Sequence, residues 1–389
     1  MKRFLASLLV SALATVALAV AGEASAGKVG SEFEVSKSGH YADVATLRKG
    51  GFVIVWRRDN ASFGIAGQRY DAKGAKAGGP FTVTTSSPEY FTPSVADLSD
   101  GGFVVAWEAT AGATGLDVFI QRYNAKGGKS GGRIRVNSFT ANGQYEPSVA
   151  GLANGGFVVT WTSDGQDGAT NGIYGQRYGK NGKAVGAAFR VDTTLPTAFH
   201  HLSSVAALKN GGFVVVWRGY YGTHAQLYGA SGTKVGGEIM VNPTEESLLQ
   251  HPTVAGLGNG GFVVAREVYS SGANEVDVIG QRFNSGGAKV GSGFRVNSYA
   301  KGSQLQPAVA ALKNGGFTVV WYSPPQTNAA YGQIYSKAGK AVGKNFKINT
   351  SLATIVPEPA VAADGNGFVV AWQSGERYTG IFGQRFAGH

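Results

Sequence analysis

The residues able to do chemistry in this chain are few and scattered: 6 histidines, 24 carboxylates and no cysteine among 389 residues. The absence of cysteine removes disulfides, thiolate metal sites, iron–sulfur clusters and cysteine nucleophiles together. Imidazole near carboxylate is the material of a proton relay or a metal centre. Here His40, His200, His201, His251, Glu146 and Glu358 stand in distant segments, without the short ligand spacing of a metal motif. No metal site is therefore expected. Asp164-Gly165-Gln166-Asp167-Gly168 supplies part of a calcium loop but not its full ligand set, so no cofactor is expected either. There is no nucleophile elbow, no zinc-protease helix, no phosphate loop and no dinucleotide fingerprint. A hydrolase or lyase would have to assemble its acid and base from separate segments, as glycosidases do with paired carboxylates.

A repeat sets which elements could assemble them. The phrase Gly155-Gly156-Phe157-Val158-Val159-Thr160-Trp161 recurs seven times, closing at Trp56, Trp107, Trp161, Trp217, Arg266, Trp321 and Trp372. The spacings are 51, 54, 56, 49, 55 and 51 residues. Each copy is followed by a phrase such as Gly175-Gln176-Arg177-Tyr178, a Gly/Lys-rich turn, and a segment such as Phe189-Arg190-Val191-Asp192. A period near 50 residues with several strands per unit is the pattern of a radial propeller. Four strands per unit are predicted, A to D, with A and B joined through a tight turn such as Asn154-Gly155. Strand B is apolar on both faces, as a strand packed between two neighbouring blades must be. The seventh unit lacks strand D, and Val29-Gly30-Ser31-Glu32-Phe33-Glu34-Val35 matches Val290-Gly291-Ser292-Gly293-Phe294-Arg295-Val296. The N-terminal strand should therefore close the ring. The predicted fold is all-β: a seven-bladed β-propeller over residues 27–389, with blade 7 split between 359–389 and 29–36.

The phrases Gly-Gly-Phe-Val-Val-x-Trp, Gly-Gln-Arg-Tyr and Phe-Arg-Val-Asn resemble the repeats of bacterial secreted and adhesin-like β-propeller proteins. Some of those also carry calcium-binding nonapeptide repeats; this chain has no Gly-Gly-x-Gly-x-Asp arrays. The resemblance covers nearly the whole chain after residue 26. It implies an exported adhesin-like protein.

Blade topology then sorts the side chains onto two faces. The B–C loops and D–A connections should carry His40, Tyr41, Tyr90, Phe91, Tyr145, Glu146, His200, His201, Tyr220, Tyr221, His251 and Glu358, the candidate ligand-binding set. Rings stack on sugar C–H faces while polar groups pair with hydroxyls, and loops on a rigid scaffold carry function. His224 and most acids, including Glu108, Asp117 and Glu267, fall on the same face. Residues just before strand A should ring the central channel. Arg266 stands where the other units have Trp, and a guanidinium there needs a partner. An ion pair at the upper rim with Glu267, Glu275 or Asp277 is expected, where it could also meet an acidic ligand. The opposite face collects lysines of the C–D turns, Lys126, Lys129, Lys180, Lys183, Lys337 and Lys340 among them, a candidate docking surface for polyanions. The recurring Gln is expected to bond a neighbouring blade's backbone, and the recurring Trp to pack between blades.

The first 26 residues read as a signal peptide: Lys2 and Arg3, an apolar run from Phe4 to Val20, then Ala24-Ser25-Ala26 as cleavage signal. No later run is long enough to span a bilayer. The reading is a secreted or periplasmic monomer of net charge +10, the full chain's +11 less Lys2, Arg3 and Glu23, whose partners are a glycan, an envelope component or an anionic polysaccharide rather than nucleic acid. A non-enzymatic carbohydrate-binding, adhesin-like module is the leading function. A structural or envelope scaffold docking through the lysine face is the alternative, and a polysaccharide hydrolase or lyase the second.

Overall fold

The computed structural model describes residues 26–59, 64–85, 92–110, 115–168, 171–193, 200–219, 222–243, 251–269, 275–299, 301–324, 328–350, 358–365, 367–375 and 380–388. The segment before Ala26, which the sequence reading assigns to a signal peptide, lies outside them. Seven four-stranded antiparallel sheets hold the strands of the described residues. Blade 1 comprises His40–Thr46, Phe52–Arg58, Gly64–Tyr70 and Phe81–Thr84; blade 2 Ser94–Asp97, Phe103–Thr110, Leu116–Tyr123 and Ile134–Arg135. Blade 3 comprises Gln144–Gly151, Phe157–Asp164, Asn171–Tyr178 and Ala184–Arg190; blade 4 His201–Ala207, Phe213–Gly219, Gly222–Tyr228 and Lys234–Pro243. Blade 5 comprises Thr253–Gly256, Phe262–Tyr269, Val276–Phe283 and Lys289–Arg295; blade 6 Leu305–Ala311, Phe317–Ser323, Ala329–Tyr335 and Ala341–Lys347. Blade 7 comprises Ala360–Asp364, Gly367–Ser374 and Gly380–Phe386, with Lys28–Ser36 as its fourth strand. We letter the strands A to D from the channel outward.

Each strand A touches strand A of both neighbours, and the last touches the first, so the ring is closed. The closing strand pairs antiparallel with strand C of blade 7, Lys28 opposite Phe386 and Phe33 opposite Gly383. No helix among the described residues is long and apolar enough to cross a membrane.

The repeated phrases resolve into four separate physical jobs. The Phe of strand B stacks on the Tyr or Phe that ends strand C, as in Phe157–Tyr178 at 4.7 Å and Phe213–Tyr228 at 4.5 Å. Burying a ring of this size contributes about 3 kcal/mol. The Gly of Gly-Gln-Arg-Tyr leaves room for the strand D Phe: a Cβ at Gly175 would lie 2.7 Å from the Phe189 ring. The Gln sits at a bulge between strands C and D. Gln176 Nε2 donates to Arg177 O at 2.9 Å and Gly186 O at 3.2 Å, both in its own blade. This corrects the expected bond to a neighbouring blade: the bulge frees carbonyls of the same sheet, and the amide reaches those first. The Arg makes the contact between blades. Arg69 donates to Lys126 O and Ala125 O of blade 2, Arg122 to Lys180 O of blade 3, and Arg282 to Ala338 O and Lys337 O of blade 6. Arg385 Nη2 donates to Ala72 O at 3.0 Å, joining blade 7 to blade 1. The Trp packs toward the preceding blade, Trp161 lying in one cluster with Val104 and Ala106 of blade 2.

Candidate functional site

The upper mouth of the channel is where the sequence brings unusual backbone and ionisable groups together. Five non-glycine residues at or just before strand A have positive φ: Tyr41 (51°), Glu146 (57°), Leu202 (55°), Gln306 (53°) and Glu358 (57°). Such a conformation costs about 1–3 kcal/mol and persists only where the surroundings hold it. Here each strained N–H is bound by a side chain of the preceding blade. Gln373 Oε1 accepts from Tyr41 N at 3.1 Å, Glu146 Oε2 from Leu202 N at 2.9 Å and Gln306 Oε1 from Glu358 N at 2.9 Å. Glu267 Oε1 accepts from Gln306 N at 2.5 Å, and Glu108 Oε2 from Glu146 N. Glu108, Glu267 and Gln373 all directly follow the recurring Trp position. That offset was the sequence signal for this ring of clamps, and reading the Trp phrase as ending at Trp missed it.

Further polar groups complete the rim. His40 Nε2 lies 2.7 Å from Asp59 Oδ2, and Arg57 bonds the same carboxylate at 3.2 Å while covering the Tyr41 ring at 5.1 Å. Asn171 joins Tyr145 (3.5 Å) to His201 Nε2 (2.7 Å), and Thr162 Oγ1 donates to Glu146 Oε2 at 2.8 Å. His251 Nδ1 lies 3.0 Å from Glu267 Oε2, and Gln306 Nε2 donates to Glu358 Oε1 at 3.1 Å.

Their protonation is driven apart. Burial pushes Glu358 up to about 7, against the opposing charges of His251 and Arg57. Burial also holds Glu108 well above the usual carboxylate range, with the Glu146 charge adding to it. Burial alone would raise Glu146, but bonds from His201, Leu202 N and Thr162 outweigh it and hold it low. Burial would lower His251, yet Glu267, with Glu358 and Glu146 beyond it, raises it. Groups from blades 1, 3, 5 and 7 thus share one electrostatic field. Neighbouring groups split in this way can serve as acid and base.

The structure gathers His40, Tyr41, Tyr145, Glu146, His201, His251 and Glu358 at this mouth. It does not place His200 there. His200 is 1% exposed and its Nδ1 lies 3.0 Å from Asp192, a pair sealed between blades. His224 is in strand C rather than a loop, stacked on Trp217 and paired with Glu238 at 2.6 Å. Tyr90, Phe91, Tyr220 and Tyr221 lie outside the described residues. Arg266 overturns the expected rim ion pair: it is 2% exposed, and its Nη1 and Nη2 have no partner among the described residues. Glu267 turns to the other face of the strand toward His251, and Asp277 bonds Arg295 at 2.7 Å. Strand alternation turns Glu267 away from Arg266, while Asp277, on the same face as Arg266 through its pairing with Val268, is taken up by Arg295 and Asn297. The upper face is also less acidic at its surface than a sorting by loop suggests, because Glu108, Asp117 and Glu267 are buried. Asp167 of the partial calcium loop bonds Arg190 at 2.7 Å. Among the described residues no group of three or more His, Asp or Glu is arranged to hold a metal. Lys126, Lys129, Lys180, Lys183, Lys337 and Lys340 are all exposed on C–D turns.

No family model matches the chain. No curated protein matches its sequence. Solved structures match in shape. An ulvan lyase of a polysaccharide lyase family, PL25, superposes with a TM-score of 0.56 at 10% identity, covering 92% of this chain and 96% of that one. An α-L-arabinanase of Penicillium chrysogenum, complexed with arabinobiose, gives 0.52 at 12% identity, covering 92% and 98%. A protein of unknown function from Dyadobacter fermentans gives 0.53 at 12% identity, covering 94% and 99%. Likeness at these identities shows a shared architecture: this chain is a seven-bladed β-propeller.

Proposed function

We propose that the channel mouth binds a glycan and that the protein works as an exported carbohydrate-binding module. One observation carries this reading. Half-buried rings, Tyr41 and Tyr145, share a rigid rim with His201, His251, Gln306 and Glu358, groups drawn from six blades. Ring faces suit sugar C–H surfaces and the polar groups suit hydroxyls. The exposed rings of Tyr269 (41%) and Tyr299 (50%) add stacking surface at the blade ends. The similar solved structures include an arabinanase and an ulvan lyase, enzymes that act on carbohydrates, which supports the ligand class. Binding is favoured over turnover because Glu146 and Glu267 are engaged in clamping strained backbone.

A second reading rests on Glu358. A carboxyl still protonated near neutrality, in the field of a His251 raised in pKa, is a possible acid–base pair for a polysaccharide hydrolase or lyase.

A glycan array followed by calorimetry tests the first reading. Tyr145→Ala and Tyr41→Asn, the latter keeping a residue tolerant of positive φ, should each weaken binding about tenfold, the equivalent of 1.4 kcal/mol. No glycan bound, or binding indifferent to both changes, removes the reading. Release of reducing ends or unsaturated uronate that stops in Glu358→Gln would establish the second instead.

A further inference from the structure

We propose that the gap between blades 4 and 5 is an oxyanion-binding site with Arg266 at its floor, separate from the channel mouth. Six blades fill the equivalent space with an indole, commonly stacked on a ring across strands B and C. Trp161 faces Tyr174, Trp321 faces Tyr331 and Trp372 faces Phe382. In blade 5 the same cross-strand pair is Arg266 and Ile279. A cavity of about 350 Å³ remains there, lined by Asn242 of blade 4 and by Gln281, Lys289, Ser292 and Gly293 of blade 5.

The guanidinium at its floor is 2% exposed, and among the described residues neither terminal nitrogen has an acceptor. Burying a charge without a partner is costly, so this arrangement calls for an acceptor from outside. A guanidinium presents two parallel N–H groups that match a carboxylate, sulfate or phosphate oxygen pair. Lys289, Ser292 and Gly293 are exposed at the entrance, adding a second cation, a hydroxyl and a stretch of backbone without a side chain. Burial lowers Arg266 to about 10, and an arriving anion would reverse that direction. The cavity is lined by strand D residues of both blades, on the outer flank of the ring. It therefore suits a charged substituent on a larger molecule as well as a free ion.

The test uses the full chain with sodium sulfate, sodium phosphate and sodium glucuronate, against sodium chloride at matched ionic strength. Thermal unfolding should show a saturable rise of about 5 °C with at least one oxyanion. Calorimetry should give a single site weakened severalfold by Lys289→Gln. Arg266→Trp restores the residue of the other blades and should fold while losing the response; Arg266→Gln is the fallback should the indole not fit. A response to sulfate and phosphate alone would identify an ester group as ligand, and one to glucuronate a uronate. The proposal fails if chloride gives the same rise, if no oxyanion binds, or if Arg266→Trp responds like the parent chain. Glycan binding at the mouth should survive Arg266→Trp, so the two proposals stand or fall separately.

Discussion

At the scale of single residues, Glu358 links the mouth to stability. Its carboxyl is raised from 4.5 to about 7, so the folded chain holds a proton that the unfolded chain releases. The contribution is complete below pH 4.5 and disappears as the pH rises through about 7. The stability difference between the parent chain and Glu358→Gln should fall by about 3 kcal/mol across that interval. Thermal midpoints of both proteins from pH 4 to 8 measure it, and parallel profiles would refute the assignment. Gly175 is a second single-residue case. A methyl group there would press on the Phe189 ring from 2.7 Å, so Gly175→Ala should cost about 1–3 kcal/mol of stability. A denaturant midpoint equal to the parent's would show that the ring can move aside. Both residues belong to repeated positions, yet the sequence shows only the repetition. What each one touches depends on the outer strand of the same blade (Gly175 to Phe189) or on the preceding blade (Glu358 to Gln306).

At the scale of elements, the strand from Lys28 to Ser36 matters most, because it is the fourth strand of a sheet whose other three lie at the far end of the chain. Without it, strand C of blade 7 would be left as an unpaired edge. Deleting residues 27–37 should cause severe loss of stability or aggregation, read by calorimetry and light scattering. An unchanged melting profile would contradict closure by this strand. This element was legible beforehand because its sequence repeats that of strand D in blade 5. The clamps at the start of strand A were not. Their acceptors, Glu108, Glu267 and Gln373, resemble ordinary loop polar residues until the ring brings the next blade's N–H against them.

At the scale of the whole molecule, the C–D turns place exposed lysines on the face opposite the mouth. Such a surface attracts a polyanion through a diffuse field with no single essential contact, over a Debye length of about 8 Å at physiological ionic strength. Association with an anionic polysaccharide should fall steeply with salt. It should fall again when Lys126, Lys129, Lys180 and Lys183 become Gln, while neutral-glycan binding at the mouth persists. Polyanion binding unaffected by salt and by the four changes would leave these lysines as solubilising turns.

The sequence by itself determined the number of blades, the four strands in each and the closing strand. These follow from repetition and from alternation along strands, which are local or periodic properties of the chain. It could not determine which acids stay at the surface. Glu267 and Asp277 were equal candidates to neutralise Arg266, and the pleat of one strand sent the first to His251 while Asp277 paired with Arg295. Nor could it separate His200, sealed against Asp192, from His201 one residue later at the mouth. Only the tertiary structure decided these, because burial and charge pairing are set by neighbours from other blades, which no local pattern encodes.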